Sequence, residues 1–113
     1  RQEGNAAFKA GDFPLAIAKY DAALALCSPS EAHILRTNRS LCNFKLGRID
    51  ESLSDAISAT LLRQDWAKAW CRKALALQAL GNFNASMEAV KVALELEPKN
   101  AEYSNLRDEL EEM

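Results

Sequence analysis

Three glycines constrain this chain more than any other feature. Gly11, Gly47 and Gly81 are spaced 36 and 34 residues apart. Each is followed by a polar residue and then a large apolar one, as Gly11-Asp12-Phe13, Gly47-Arg48-Ile49 and Gly81-Asn82-Phe83. A glycine between two helical patterns ends the first helix in a left-handed conformation that other residues resist. Small residues recur in step with these turns. Gly4, Ser40 and Ala74 stand seven residues before each turn glycine, and Ala16, Ser52 and Ser86 follow twelve residues after them. Tyr20, Ala56 and Val90 come four further on, and Ala23, Ala59 and Ala93 three beyond those. Small residues at fixed phase let antiparallel helices approach closely, so the chain reads as three stacked helix pairs.

Composition supports helix throughout. Alanine occurs 20 times and leucine 16, while valine, isoleucine and threonine together occur 8 times. Unbranched side chains lose little rotamer freedom in a helix, and strands favour the branched ones. The longest apolar run, Ala22 to Cys27, is far shorter than the roughly 20 residues a membrane span needs. No charged-then-apolar leader precedes Arg1, and Arg1 falls within a helical pattern, which leads us to expect a piece of a longer protein. Cys27, Cys42 and Cys71 are odd in number and lack C-x-x-C spacing, which argues against a disulfide framework or zinc knuckle and for a cytoplasmic or nuclear setting.

The repeated residues resemble the tetratricopeptide repeat, whose pattern is W-x2-L-G-x2-Y, then A-x3-F, then A and P over 34 residues. The third repeat matches best, with Trp70, Ala74, Leu77, Ser86, Val90, Ala93 and Pro98 in register. The first keeps Gly4, Ala16, Tyr20 and Ala23. The second departs most, with Gln64 where the proline belongs and Ser52 for alanine. Two extra residues between the first two repeats fall in the turn-forming Cys27–His33 segment.

The resemblance implies an all-α fold, a right-handed α-α superhelix of three tetratricopeptide helix pairs plus a C-terminal capping helix. Expected A helices lie near residues 1–10, 31–46 and 66–80, B helices near 14–27, 49–62 and 83–97, and the cap near 100–112. We expect a single domain over 1–113, with repeats at 1–30, 31–66 and 67–98 and the cap at 99–113.

Charge is sorted by helix. The A helices carry Arg1, Lys9, Arg36, Arg39, Lys45, Lys68, Arg72 and Lys73 against Glu3 and Glu31, a balance of +6, and the remainder balances at −8. Since A helices line the concave side of such a solenoid, the overall charge of −2 conceals a basic groove suited to an acidic ligand.

Five groove positions resemble the dicarboxylate clamp of chaperone-binding tetratricopeptide domains, which carries K-x3-N, then N-R-[SA], then K-x3-R. Here the elements read Arg1-Gln2-Glu3-Gly4-Asn5, Asn38-Arg39-Ser40 and Lys68-Ala69-Trp70-Cys71-Arg72. Arg1 replaces lysine in charge only. The resemblance implies that Arg1, Asn5 and Asn38 hold a terminal carboxylate, Lys68 an aspartate side chain and Arg72 upstream groups. Leu41, Phe44 and the stem of Lys45 would form an apolar shelf for the preceding residue, and Phe8 packs beside it or in the core. The implied function is a co-chaperone type interaction module. It would bind the C-terminal Glu-Glu-Val-Asp tail of heat-shock protein 90 or heat-shock protein 70 class chaperones, as a cytoplasmic, monomeric domain. The alternatives are a scaffold for another acidic peptide, or RNA binding along the basic face, which the few concave aromatics disfavour.

Catalysis has no candidate residues. His33 is the only histidine, so neither a triad nor a histidine-rich metal site can be built, and no cofactor is expected. Cys42 and Cys71 are expected to pack as small hydrophobes. Asn38-Arg39-Ser40 and Asn84-Ala85-Ser86 fit the glycosylation pattern but fall within expected helices.

Overall fold

Each turn glycine does what its position asks. In the computed structural model, which describes residues 1–113, Gly11, Gly47 and Gly81 have φ of 80°, 78° and 82°. The amide after each glycine donates back to a helical carbonyl five residues earlier: Asp12 to Ala7, Arg48 to Asn43 and Asn82 to Leu77, at 2.8–2.9 Å. This closure satisfies carbonyls that a helix end otherwise strands. Asp12 and Asn82 then cap the next helix, accepting from the amides of Leu15 and Ala85. Arg48 makes no such side-chain cap, and Asp50 and Glu51 place negative charge in the first turn of its helix, at the positive end of the dipole.

Seven helices result: α1 (Gln2–Lys9), α2 (Phe13–Leu26), α3 (Ala32–Lys45), α4 (Ile49–Leu62), α5 (Ala67–Ala79), α6 (Phe83–Leu96) and α7 (Ala101–Glu111). Their ends fall within a few residues of the expected ones. Pairs α1–α2, α3–α4 and α5–α6 pack in sequence, and α7 lies against α6.

The in-phase small residues sit at the helix contacts. Ala16, Ser40, Ser52, Ala56, Ala59, Ala74, Ser86, Val90 and Ala93 are all fully buried. Ser52, the departure from alanine, is accommodated by hydrogen bonding: its hydroxyl donates to the Ser40 carbonyl and the Ser40 hydroxyl to the Ser52 carbonyl, both at 2.8 Å. Ser86 donates likewise to the Ala74 carbonyl at 2.7 Å. A buried hydroxyl with such an acceptor escapes the desolvation penalty of an unpaired one.

Two places depart from the regular repeat. Ala23 is half-buried where Ala59 and Ala93 are buried, and a cleft lined by Ala23, Leu26, Cys27, Glu31 and Leu35 opens at the longer α2–α3 connection. Gln64 takes the place of the repeat proline, and there the Trp70 indole N–H donates to the Gln64 carbonyl at 2.9 Å, closing the α4–α5 turn.

The α7 helix starts at Asn100, whose side chain accepts from the Tyr103 amide. Tyr103, Leu106 and Leu110 are buried in one cluster with Ala67, Cys71, Ala74, Ala89, Val90 and Ala93. The helix therefore covers the apolar side of the last pair, as a terminal helix of a solenoid must.

Candidate functional site

Helix α1 contributes two polar side chains one turn apart, Asn5 and Lys9, with Phe8 between them. Helix α3 contributes Asn38 and Leu41, and α5 contributes Lys68 and Arg72, again one turn apart. These seven side chains reach a single cavity because spacings of three and four residues place them on one face of each helix. The eighth lining residue is Tyr20 of α2, and the cavity measures about 260 Å³. Its lining holds three cations and no carboxylate.

Tyr20 acts from beneath. It is 1% exposed, and its hydroxyl donates to Asn5 Oδ1 at 2.6 Å. With Oδ1 engaged, the Asn5 amide turns its NH₂ donors to the cavity. Burial, and secondarily the Cys42 sulfur, raise the Tyr20 phenol above its ordinary range, so it stays a donor. Gly4 makes this approach possible, because a Cβ there would lie 2.5 Å from Tyr20 Cε1.

Arg72 is the most enclosed of the three cavity cations and the one that forms an ion pair. Its side chain is 12% exposed, Nε is buried without a hydrogen-bond partner, and Nη1 lies 3.5 Å from Glu102 Oε2 of α7. A buried donor of a charged group left unpaired is costly, and a ligand acceptor would relieve it.

The structure does not gather every residue expected from sequence. Arg1 is the N-cap of α1 and lines separate clefts with Gln2, Ala23 and Leu26. The four-residue spacing to Asn5 places side chains together only when both residues are within the helix. Phe44 is half-buried and Lys45 exposed, both outside the cavity. They stand six and seven residues beyond Asn38, roughly 9 to 10.5 Å along the helix axis.

Summing charge over whole helices also overstated the groove. Arg36 and Arg39 turn toward α4, where Asp55 is 5% exposed and sits 3.4 Å from Arg36 and 2.6 Å from Arg39. Arg39 also bonds Asp21 of α2 at 2.6 Å, and its guanidinium is held charged above its ordinary range chiefly by the Asp55 hydrogen bond. Lys73 lies over the Trp70 ring. The basic face is thus a compact cluster of Lys9, Lys68 and Arg72. Lys9 and Tyr20 were missed from the sequence, although Lys9 follows Asn5 at the same four-residue spacing as Arg72 follows Lys68.

No group of three or more His, Cys, Asp or Glu side chains is arranged to hold a metal ion, and no helix is long and apolar enough to cross a membrane. Burial pushes the Cys42 and Cys71 thiols up to about 11, so both remain protonated packing groups.

A tetratricopeptide repeat family model matches residues 1–69, and a second matches 67–100. The chain belongs to the tetratricopeptide repeat family. Over 105 residues, 93% of the chain, this tetratricopeptide domain is 37% identical to "Heat shock protein sti1 homolog" of Schizosaccharomyces pombe. It spans 17% of the length of that relative. Among solved structures it superposes on the first tetratricopeptide domain of Spaghetti (RPAP3) bound to the HSP90 peptide SRMEEVD, with TM-score 0.93 and 30% identity, over 98% of this chain and 89% of that one. It also matches the second such domain of human RPAP3 in complex with the HSP70 peptide SGPTIEEVD, with TM-score 0.89 and 28% identity, over 97% and 90% of the two chains.

Proposed function

We propose that residues 1–113 form one domain, a non-enzymatic docking module for the C-terminal Glu-Glu-Val-Asp tail of heat-shock protein 90 and heat-shock protein 70 class chaperones in the cytoplasm. The observation that carries this reading is the acid-free cavity in which Asn5, Lys9, Asn38, Lys68 and Arg72 converge from three helices. Similar domains of solved structure hold peptides ending in Glu-Glu-Val-Asp.

A chain ending in aspartate presents two carboxylates, one main-chain and one side-chain. Asn5, oriented by Tyr20, and Asn38 supply directed neutral donors for the terminal carboxylate, and Lys9 adds the positive charge on α1. Lys68 faces the aspartate side chain, and Arg72 takes an acceptor further upstream. Charge-assisted bonds of this kind contribute roughly 1.5–3 kcal/mol each. Phe8 and Leu41 provide the apolar wall for the residue before the aspartate.

Calorimetry with Ser-Arg-Met-Glu-Glu-Val-Asp tests the assignment. The free-acid peptide is expected to bind with an affinity on the order of micromolar, since a flexible tail must be ordered on docking, and added salt should weaken it. Amidating its C-terminus should abolish most of the affinity. Lys68→Ala should weaken binding about tenfold, or 1.4 kcal/mol, while leaving stability within about 0.5 kcal/mol because Lys68 is exposed. Equal binding of acid and amide would refute the assignment.

A further inference from the structure

The cavity lining holds no carboxylate, yet one from the capping helix lies beside its Arg72. Glu102 lies in the first turn of α7, and its Oε2 is 3.5 Å from Arg72 Nη1. That separation is long beside the roughly 2.7–2.9 Å of a well-formed charge-assisted bond. The two partners are unequally placed: the Arg72 side chain is 12% exposed, and that of Glu102 is 59% exposed. Arg72 Nε, meanwhile, is buried and unpaired. An enclosed cation thus has one distant, solvated counterion and a spare donor. Tyr103, Leu106 and Leu110 root α7 in the core, which holds the Glu102 backbone near Arg72, while the exposed Glu102 side chain is free to turn away.

We propose that Glu102 is an internal competitor for Arg72, occupying the guanidinium in the free protein and giving way to an acidic side chain upstream of a ligand's terminal aspartate. Glu102 then sets how strongly the groove rewards acid at that upstream position. The inference rests on the peptide-docking reading above. A carboxylate that merely buttressed Arg72 would have the opposite effect on binding.

The test uses the parent chain, Glu102→Gln, Arg72→Ala and the double variant, titrated with Ser-Arg-Met-Glu-Glu-Val-Asp and Ser-Arg-Met-Gln-Gln-Val-Asp. Glu102→Gln should tighten the Glu-Glu peptide about two- to fivefold, the factor that goes with a partly exposed ion pair. It should leave the Gln-Gln peptide unchanged, and the gain should vanish in the Arg72→Ala background. Glu102→Ala should reproduce the gain, and thermal unfolding should confirm that each variant is folded. Unchanged or weaker binding of the Glu-Glu peptide by Glu102→Gln overturns the proposal, as does an equal gain for both peptides. Failure of the parent to bind either peptide would show first, and would overturn the docking reading and this inference with it.

Discussion

The Tyr20 hydroxyl donates to Asn5 Oδ1 at 2.6 Å, joining a core position of the repeat to the polar lining of the groove. Tyr20 is the one large polar side chain among Tyr20, Ala56 and Val90, the residues at this repeat position. Its ring belongs to the buried cluster of Ala7, Ala16, Leu35 and Cys42, while its oxygen selects which end of the Asn5 amide faces the cavity.

Tyr20→Phe keeps the ring and removes the oxygen. Stability should fall by about 1 kcal/mol, the usual net worth of one hydrogen bond. Peptide affinity should fall severalfold, because Asn5 is then free to rotate its amide. Denaturant titration together with calorimetry measures both, and unchanged affinity would mean that the amide is held by something other than Tyr20.

Gly4→Ala should disturb the same pair from the opposite side. The added methyl meets the fixed Tyr20 ring at 2.5 and 2.7 Å, and overpacking of this kind costs about 1–3 kcal/mol. The helix-propensity gain of roughly 1 kcal/mol offsets part of it. We expect a net loss on the order of 1 kcal/mol in urea unfolding and weaker peptide binding. A more stable variant would contradict the packing described for α1 on α2.

His33 predicts an acid sensitivity. It is 6% exposed, stacked edge-on against Trp66 at 4.8 Å, and its pKa is lowered first by burial and then by Arg63, with Asp65 opposing. A histidine with a lowered folded pKa stabilises fully above its unfolded value of about 6.5 and loses that contribution as pH falls toward the folded value. Stability should therefore decline as pH falls below about 6.5, and His33→Gln should show a shallower decline. Identical pH profiles for the two proteins would remove His33 as the cause.

Truncation before Asn100 should expose the cluster that Tyr103, Leu106 and Leu110 cover. Aggregation or loss of cooperative unfolding is expected, read by light scattering and circular dichroism. A truncated chain as soluble and stable as the parent would show that α5 and α6 need no cap.

What the sequence determined by itself is the local architecture. Helix phase, the positive-φ turns at Gly11, Gly47 and Gly81, and the Asp12, Asn82 and Asn100 caps all depend on residues within five positions of one another. The small residues spaced by twelve were legible for the same reason, since helix-pair packing repeats with the local pattern. Tertiary structure alone decided which side chains share the cavity. Arg36 and Arg39 are drawn off by Asp55, whose neutralisation in a buried site outweighs exposure to the groove. Lys9 enters the cavity, Arg1 stays outside it at the helix cap, and Glu102 approaches Arg72 across 30 residues of sequence. Periodicity sets the direction in which a side chain leaves its own helix, whereas its partner is set by the angle and spacing of a different helix.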